Sequence, residues 1–142
     1  MMDVFKLHDH SKFDVYAFSF GPMGTGKAYN DSKRLFTKFF DIKNMSDDEV
    51  INLSKEIGID IAIDLCGYTS WNRASIFFKR VAPIQINYLG YAGSIGGNFI
   101  DYILADEILI SENDKKYYGE KVICLPNCYQ ANPKNLDVSN EK

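Results

Sequence analysis

The sequence has 142 residues, of which 46% are hydrophobic and 25% are charged. A chain of this length and composition forms one domain with a buried core, which excludes the disordered and coiled-coil classes of protein. The 16 Lys and Arg residues are balanced by 19 Asp and Glu residues, so the net charge of −3 excludes the basic surface of a nucleic-acid-binding protein. A chain this short rarely holds both a nucleotide pocket and a separate acceptor pocket.

Hydropathy and cysteine content predict a cytoplasmic protein. No apolar run approaches the roughly 20 residues of a membrane span, so we expect no membrane association. Residues 1–14 contain no continuous apolar segment of the kind found in secretory signals. Three cysteines, at positions 66, 124 and 128, are an odd number in dissimilar surroundings, which favours a reducing compartment over a disulfide scaffold.

Hydrophobic periodicity predicts strands that alternate with helices in the first part of the chain. Ser46 and Glu49 have the spacing of a capping box, which begins a helix through Ile57 that Gly58 ends. Before that helix we expect a strand over residues 13–20, a Gly-rich loop over 21–27, a helix over 30–40 and a short strand near 40–42.

The second part of the chain continues this alternation. It predicts a buried strand over residues 59–65, a helix over 71–80, strands over 84–89, 99–105 and 121–125, and a helical turn at 112–117. Strands separated by helices are typical of a parallel sheet with right-handed crossovers. The predicted fold class is therefore α/β, with a Rossmann-like parallel sheet flanked by helices. We expect one domain over residues 1–131 and a frayed polar tail over residues 132–142.

Residues 21–28, GPMGTGKA, match a phosphate-binding P-loop at every position but the last. The segment lies between a predicted strand and a predicted helix, and Lys27 stands where the motif has its phosphate-binding lysine. Ala28 stands where the motif has the Ser or Thr that holds Mg²⁺, which weakens the match. A Gly-rich and Pro-rich turn is the favoured interpretation, and a nucleotide-binding protein that uses Gly21–Lys27 is an alternative.

Metal-ligand and hydrolase motifs do not assemble elsewhere in the sequence. His8 and His10 have no Cys or Glu cluster near them, and Cys124 and Cys128 lack a second pair of ligands. We therefore predict no metal site. Both histidines lie near the amino terminus and no nucleophile elbow is present, so a Ser-His-Asp triad is also not expected.

The most informative segment is residues 64–97, in which two predicted strands end and each is followed by a Gly-Tyr pair. Loops at the carboxyl ends of parallel strands line one crevice, where ligands bind. Glycines let the backbone approach a ligand closely, hydroxyls bond to it, and an Arg pairs with a carboxylate or phosphate. The alternative is that the glycines only form tight turns and that the Arg lies on a solvated helix face; the spacing favours neither. The candidates are Gly67, Tyr68, Thr69, Arg73, Gly90, Tyr91, Gly93 and Ser94.

This segment resembles the catalytic region of the protein O-linked N-acetylglucosamine transferases. The run APIQ, followed by LGY, a glycine and DY, is a specific combination of that family, and similarity extends upstream through HDHSKFDVYAFSFGP and downstream through YYGEKVICLPNCYQ. The sequence departs from the family at Ala92, where the family has Pro, and at Ser94, where it has Thr. The matching residues are Asp64, Gly67, Tyr68, Thr69, Arg73, Arg80, Ala82, Pro83, Ile84, Gln85, Leu89, Gly90, Tyr91, Gly93, Gly96, Asp101, Tyr102 and Asp106.

The resemblance implies an inverting, metal-independent transferase without a cofactor, with UDP-N-acetylglucosamine as donor and a protein Ser or Thr hydroxyl as acceptor. It implies that residues 1–131 form part of the amino-terminal lobe of a glycosyltransferase B-type fold. Within that lobe, Gly67–Thr69, Arg73 and Leu89–Ser94 would face the donor and acceptor cleft.

The same resemblance implies that this sequence lacks part of the family's machinery. The catalytic residues are expected in segments outside it, and so is the carboxyl-terminal lobe that holds the UDP diphosphate, together with tetratricopeptide repeats. We therefore expect the chain alone to be inactive. A lobe without its first strand would expose a sheet edge, which predicts self-association. A non-catalytic α/β interaction module is a further alternative.

Overall fold

The computed structural model describes residues 1–21, 24 and 26–132 of the chain. The chain divides into two compact units, one formed by residues 1–43 with the segment from residue 130 onward, and one formed by residues 44–129. No helix in the described part is long and apolar enough to cross a membrane. The predicted polar tail lies outside the described residues, apart from Asn132.

Where the structure describes it, the first unit contains two short helices and two parallel strands, namely α1 (Met2–Lys6), β1 (Tyr16–Ser19), α2 (Lys27–Lys33) and β2 (Lys38–Asp41). Phe18 and Phe40 are partners in the register of the two strands, and their ring centroids lie 5.2 Å apart. Aromatic side chains on neighbouring strands therefore hold this small sheet together.

The predicted helix over residues 30–40 is wrong beyond Lys33. The chain leaves α2 at Arg34, and the Thr37 N–H donates to the Val15 carbonyl at 2.7 Å, which starts the pairing of β2 with β1. The Leu and Phe residues in this segment have helical spacing, but aromatic residues also favour strands. The partner strand decides between the two, and periodicity within the segment contains no information about that partner.

The second unit carries a four-stranded parallel sheet with the strand order β3-β4-β5-β6. Its helices are α3 and α4, and a short 3-10 helix, Lys115–Tyr117, precedes the last strand. The bounds are α3 (Asp47–Glu56), β3 (Ile61–Asp64), α4 (Ser75–Phe78), β4 (Ile84–Tyr88), β5 (Tyr102–Ala105) and β6 (Lys121–Cys124). The predicted parallel α/β arrangement is confirmed.

Helix α3 begins and ends as its sequence predicts. The Ser46 hydroxyl accepts a hydrogen bond from the Glu49 N–H at 3.3 Å, and the Glu49 carboxylate accepts one from the Ser46 N–H at 2.7 Å. Gly58 follows the helix with φ of +72°, a conformation that glycine adopts without steric cost. Val50 and Ile51 form the buried side of the helix.

The predicted helix over residues 71–80 is much shorter in the structure, because only Ser75–Phe78 are helical. Trp71 and Arg80 both have positive φ, at +64° and +57°. A left-handed backbone conformation interrupts a right-handed helix, so α4 is confined between these two residues.

Candidate functional site

The loops that follow β3 and β4 meet at the carboxyl edge of the four-stranded sheet. Asp64 and Asn87, near the ends of the two strands, are partners in the register. A Cβ atom at Gly90 would overlap the Leu65 carbonyl oxygen and lie 2.9 Å from the Cys66 Cα. Only a glycine therefore lets the second loop pack this closely on the backbone of the first.

Gly67 makes the reciprocal close approach. A Cβ atom there would overlap the Cβ of Tyr91, and Gly67 has φ of +55°. The rings of Tyr68 and Tyr91 pack edge to face, with centroids 5.8 Å apart. The structure thus brings together the two Gly-Tyr pairs that the sequence singles out.

The carboxylate of Asp64 holds the loop after β3. Its Oδ1 accepts hydrogen bonds from the backbone N–H groups of Cys66, at 2.9 Å, and Gly67, at 3.0 Å. The Thr69 hydroxyl donates to the Cys66 carbonyl at 2.9 Å. Asp64 and Thr69 therefore shape the turn from which the Tyr68 side chain, 47% exposed, extends. Burial raises the pKa of the Cys66 thiol, and the nearby Asp64 carboxylate raises it further.

The side chain of Asn87, in β4, holds the loop that follows this strand through hydrogen bonds. The sequence analysis missed this residue. Asn87 is fully buried, and its Nδ2 donates to the carbonyls of Tyr91, at 2.9 Å, and Gly93, at 3.3 Å. Because both partners are carbonyls, they fix the orientation of the amide. Its Oδ1 has no hydrogen-bond partner among the described residues. A polar residue inside the apolar strand sequence IQINY is the signal that identifies this position.

Glu120, also missed, holds the far end of the same loop. It is buried, and its carboxylate accepts from the Ser94 hydroxyl and the Ile95 N–H, both at 2.7 Å. Tyr118 donates its hydroxyl to the Ala92 carbonyl at 3.3 Å, and burial raises the pKa of this phenol. The Ser94 hydroxyl is thus part of the loop's own support.

The backbone of the second loop is compact at its start. Leu89 has φ of +74°, in the left-handed region that a branched side chain rarely adopts. A Cβ at Gly93 would lie 2.9 Å from the ring of Tyr91, so this ring packs directly on the Gly93 backbone. The Leu89–Ser94 segment is therefore a tightly folded turn.

Arg73 connects the segment before α4 to the start of α3. Its Nε and Nη2 donate to Asp47 Oδ1 at 3.0 and 2.8 Å, and Nη2 also donates to the Met45 carbonyl at 2.6 Å. The Ser75 hydroxyl, and then the Arg73 guanidinium, lower the pKa of the Asp47 carboxyl. The side chain of Arg73 is only 16% exposed, so it does not lie on a solvated face. Its contact with a ligand stays a prediction.

A second group of motif residues lies at the opposite, amino edge of the sheet. Arg80 donates to both oxygens of Asp101, at 3.0 and 2.9 Å, and to the Pro83 carbonyl at 2.7 Å. Asp101 Oδ2 also accepts from the Gln85 N–H at 2.8 Å. The buried Gln85 side chain bonds to the backbone of Val81, Phe77 and Phe99. These residues fasten β4 to the segment before β5.

Asp106, at the end of β5, repeats the role of Asp64. Its Oδ1 accepts from the N–H groups of Ile108 and Leu109, and its Oδ2 accepts from the Tyr129 N–H at 2.8 Å. These backbone hydrogen bonds, led by that of Tyr129, lower the pKa of Asp106. Asp64 and Asp106 thus each accept hydrogen bonds from several backbone N–H groups.

The P-loop-like segment is described only in part. Residues 22, 23 and 25 lie outside the described residues, and α2 begins directly after Gly26. In the part of the chain that the structure describes, no group of three or more His, Cys, Asp or Glu side chains is placed to hold a metal ion.

The comparisons with known proteins agree on one family. The model of glycosyl transferase family 41 matches residues 1–134. The probable UDP-N-acetylglucosamine–peptide N-acetylglucosaminyltransferase SEC of Arabidopsis thaliana is 32% identical over 141 residues, which are 97% of this chain and 14% of that protein. The SPINDLY protein of Eustoma exaltatum, described as a probable enzyme of the same activity, is 30% identical over 86% of this chain and 14% of its own length.

A solved structure gives the same answer for the fold. A mutant O-GlcNAc transferase of Thermobaculum terrenum superposes with a TM-score of 0.84 and 27% identity, over 89% of this chain and 24% of the other. The α/β glycosyltransferase fold that the resemblance implies is confirmed. This chain spans about one seventh of the length of these curated relatives, 14% in each case. The chain belongs to glycosyl transferase family 41.

Proposed function

We propose that this chain belongs to an enzyme that transfers N-acetylglucosamine from UDP-N-acetylglucosamine to Ser or Thr hydroxyls of proteins. In that enzyme, Gly67–Thr69 and Leu89–Ser94 would be the loops that contact the donor sugar. The observation that carries the proposal is the close packing of the Gly67 and Gly90 loops at the carboxyl edge of the sheet. This edge is where ligands bind in open α/β sheets. The names of the relatives support the same donor and a peptide acceptor.

The loops would bind and orient the sugar mainly through backbone and ring surfaces. A Cβ at Gly67 or Gly93 would collide with Tyr91, so these two glycines let the Tyr91 side chain pack on the loop backbone beside Tyr68. The half-exposed Tyr68 ring, braced edge-on by Tyr91, offers a flat wall against which a pyranose ring can pack. Such a rigid wall orients the donor without loss of side-chain freedom on binding.

The leaving group requires more than these loops contain. A UDP diphosphate develops negative charge as the glycosidic bond breaks, and preorganised cations and N–H donors stabilise that charge. Neither Gly67–Thr69 nor Leu89–Ser94 contains Lys or Arg, and Arg73 is engaged by Asp47 and the Met45 carbonyl. We therefore place the diphosphate-binding groups and the catalytic residues in parts of the enzyme outside this chain, with no metal ion required.

We infer that the whole enzyme acts on proteins in the cytoplasm, with tetratricopeptide repeats as an accompanying element. The three cysteines are free, which suits a reducing compartment. The predicted self-association through a sheet edge stays a prediction, which sedimentation velocity of the 142-residue chain tests.

A chimera tests the proposed function. Residues 1–134 of this chain replace the matching segment of the Arabidopsis thaliana SEC protein, and transfer of radiolabelled N-acetylglucosamine to a protein acceptor is measured with and without EDTA. We expect transfer by the chimera under both conditions and none by the 142-residue chain. Transfer by the isolated chain, or EDTA-sensitive transfer by the chimera, would contradict the corresponding part of the proposal.

A further inference from the structure

The Asn87 side chain has a satisfied donor and an unsatisfied acceptor. Its Nδ2 donates to the carbonyls of Tyr91 and Gly93, so the loop after β4 fixes the orientation of the amide. Its Oδ1 is buried and accepts no hydrogen bond from the described residues. Native proteins satisfy nearly all buried polar atoms, because an amide oxygen that loses its hydration without gaining a partner destabilises the fold. A hydrogen-bond donor is therefore required at Asn87 Oδ1.

The neighbours of Asn87 in the sheet show from which side a donor can approach. Its register partners are Asp64 on β3 and Ile103 on β5, and adjacent strands lie about 4.8 Å apart with paired side chains on the same face. Ile103 is buried and offers only carbon atoms. Gln85, two residues earlier on β4, uses its Nε2 on two backbone carbonyls. Asp64 is therefore the polar neighbour of Asn87 in the sheet.

Asp64 supplies a second acceptor on this side. Both hydrogen bonds that its side chain accepts from the described residues, from the N–H groups of Cys66 and Gly67, end on Oδ1. Its Oδ2 is therefore able to accept another hydrogen bond. A carboxylate has no proton to donate, so it cannot satisfy Asn87 Oδ1 by itself. Two acceptor oxygens on neighbouring strands thus require a donor that serves both of them.

A water molecule has the chemistry that this pair of acceptors requires. Its two O–H groups can each donate one hydrogen bond, and buried waters bind polar groups that otherwise lack a partner. A side-chain cation does not serve, since neither Gly67–Thr69 nor Leu89–Ser94 contains Lys or Arg. A metal ion such as Ca²⁺ or Mg²⁺ takes about six oxygen ligands or more. No group of three or more His, Cys, Asp or Glu side chains among the described residues is placed to hold such an ion.

We propose that Asp64 Oδ2 and Asn87 Oδ1 bind one buried water molecule, which joins the loop after β3 to the loop after β4. Asp64 holds the first loop through the Gly67 N–H, and Asn87 holds the second through the Tyr91 carbonyl. The water donates one hydrogen bond to each side chain and so couples the two loops. Asp64 and Asn87 are positioning residues in this arrangement. The inference rests on the packing of the loops and does not depend on the identity of the sugar donor.

A crystal structure of the 142-residue chain tests the site without any substitution. We expect electron density for one water molecule whose oxygen lies about 3 Å from both Asp64 Oδ2 and Asn87 Oδ1. Density without a water at these two atoms would overturn the proposal. A direct contact between Asp64 Oδ2 and Asn87 Oδ1 would also overturn it, because the shared proton would then belong to the Asp64 carboxyl.

Oxygen-17 relaxation dispersion, which counts long-lived internal waters, tests the site in solution. Asn87→Leu has a similar shape but no Oδ1, and we expect it to lose one such water relative to the wild-type chain. Tyr118→Phe is the matched control, because it removes the hydrogen bond to the Ala92 carbonyl in the same loop and keeps both acceptors. This control should retain the water. Equal counts in the wild-type chain and Asn87→Leu, or the same loss in both variants, would refute the assignment.

Discussion

Arg80 and Asp101 form a bidentate ion pair that joins the segment after α4 to the start of β5, with N–O distances of 3.0 and 2.9 Å. The same carboxylate accepts the Gln85 N–H, so one aspartate fixes both a side chain and a strand. Family-motif residues at this edge of the sheet therefore serve the fold, and those at the carboxyl edge form the candidate site.

Removing this pair should destabilise the second unit. Asp101→Ala leaves the Arg80 guanidinium and the Gln85 N–H without their acceptor, which should lower the free energy of unfolding by about 2 kcal/mol. Urea denaturation followed by circular dichroism measures the loss. The Lys79–Asp48 pair has side chains 64% and 70% exposed, so Lys79→Ala is the control and should cost less than about 1 kcal/mol. Equal losses in the two variants would refute the structural role of Asp101.

The stability of the chain should fall in acid through the same carboxylate. Burial raises the pKa of Asp101, but hydrogen bonds from Arg80 and the Gln85 N–H outweigh it and hold the pKa below the usual 3.8. A carboxyl whose pKa is lower in the folded state stabilises the protein above its unfolded pKa, and this contribution is lost as pH falls through the folded pKa.

Urea midpoints measured between about pH 6 and pH 2 test this dependence. The midpoint should fall more steeply for the wild-type chain than for Asp101→Asn, which has no carboxyl to protonate at that position. Parallel curves would show that Asp101 contributes nothing to the acid sensitivity.

The capping box predicts a local contribution to α3. Ser46→Ala removes the acceptor of the Glu49 N–H and should cost about 1 kcal/mol of stability. Asn52→Ala, at an exposed position within the same helix, is the matched control and should be neutral or slightly stabilising. Thermal unfolding distinguishes the two, and an unchanged melting temperature for Ser46→Ala would contradict the role of the cap.

Asn87 should control the order of the second loop. Asn87→Ala leaves the carbonyls of Tyr91 and Gly93 without their buried donor, which should cost about 2 kcal/mol and speed amide hydrogen exchange in residues 89–95. Asn98→Ala, at an exposed position in the same connection, is the control. Unchanged exchange in the Asn87 variant would mean that the loop is held by Glu120 and Tyr118 alone.

Local signals allowed some of these features to be predicted from the sequence. The capping box of α3 is a contact between residues three apart, and the Gly-Tyr pairs follow strands whose parallel order brings them to one edge. Residues 30–40 contain a strand because β1 lies beside part of that segment, which its own helical spacing does not reveal. Likewise, the positive φ of Trp71 and Arg80 depends on their surroundings, and so α4 is shorter than its pattern predicts.

The candidate site shows the same division. Glycines and tyrosines could be identified, because a close backbone approach requires a particular residue type. The carboxylate that accepts from the Arg73 guanidinium could not be identified from the sequence. This residue, Asp47, is 26 residues away and meets Arg73 only in the folded chain. Asn87 and Glu120 were missed because a single polar residue, whether in strand β4 or just before β6, has no periodic signature, and its hydrogen-bond partners are set only by the fold.

The most direct test of the central claim is the rate of N-acetylglucosamine transfer by the SEC chimera carrying Gly90→Ala, compared with the chimera carrying Gly26→Ala. A Cβ at Gly90 would overlap the backbone of the first loop, whereas one at Gly26 meets nothing within 4 Å. We predict a loss of about 100-fold in kcat/KM for Gly90→Ala, with a folded protein, and less than about a twofold change for Gly26→Ala. Full activity of the Gly90 variant would contradict the assignment of the sugar site to these two loops.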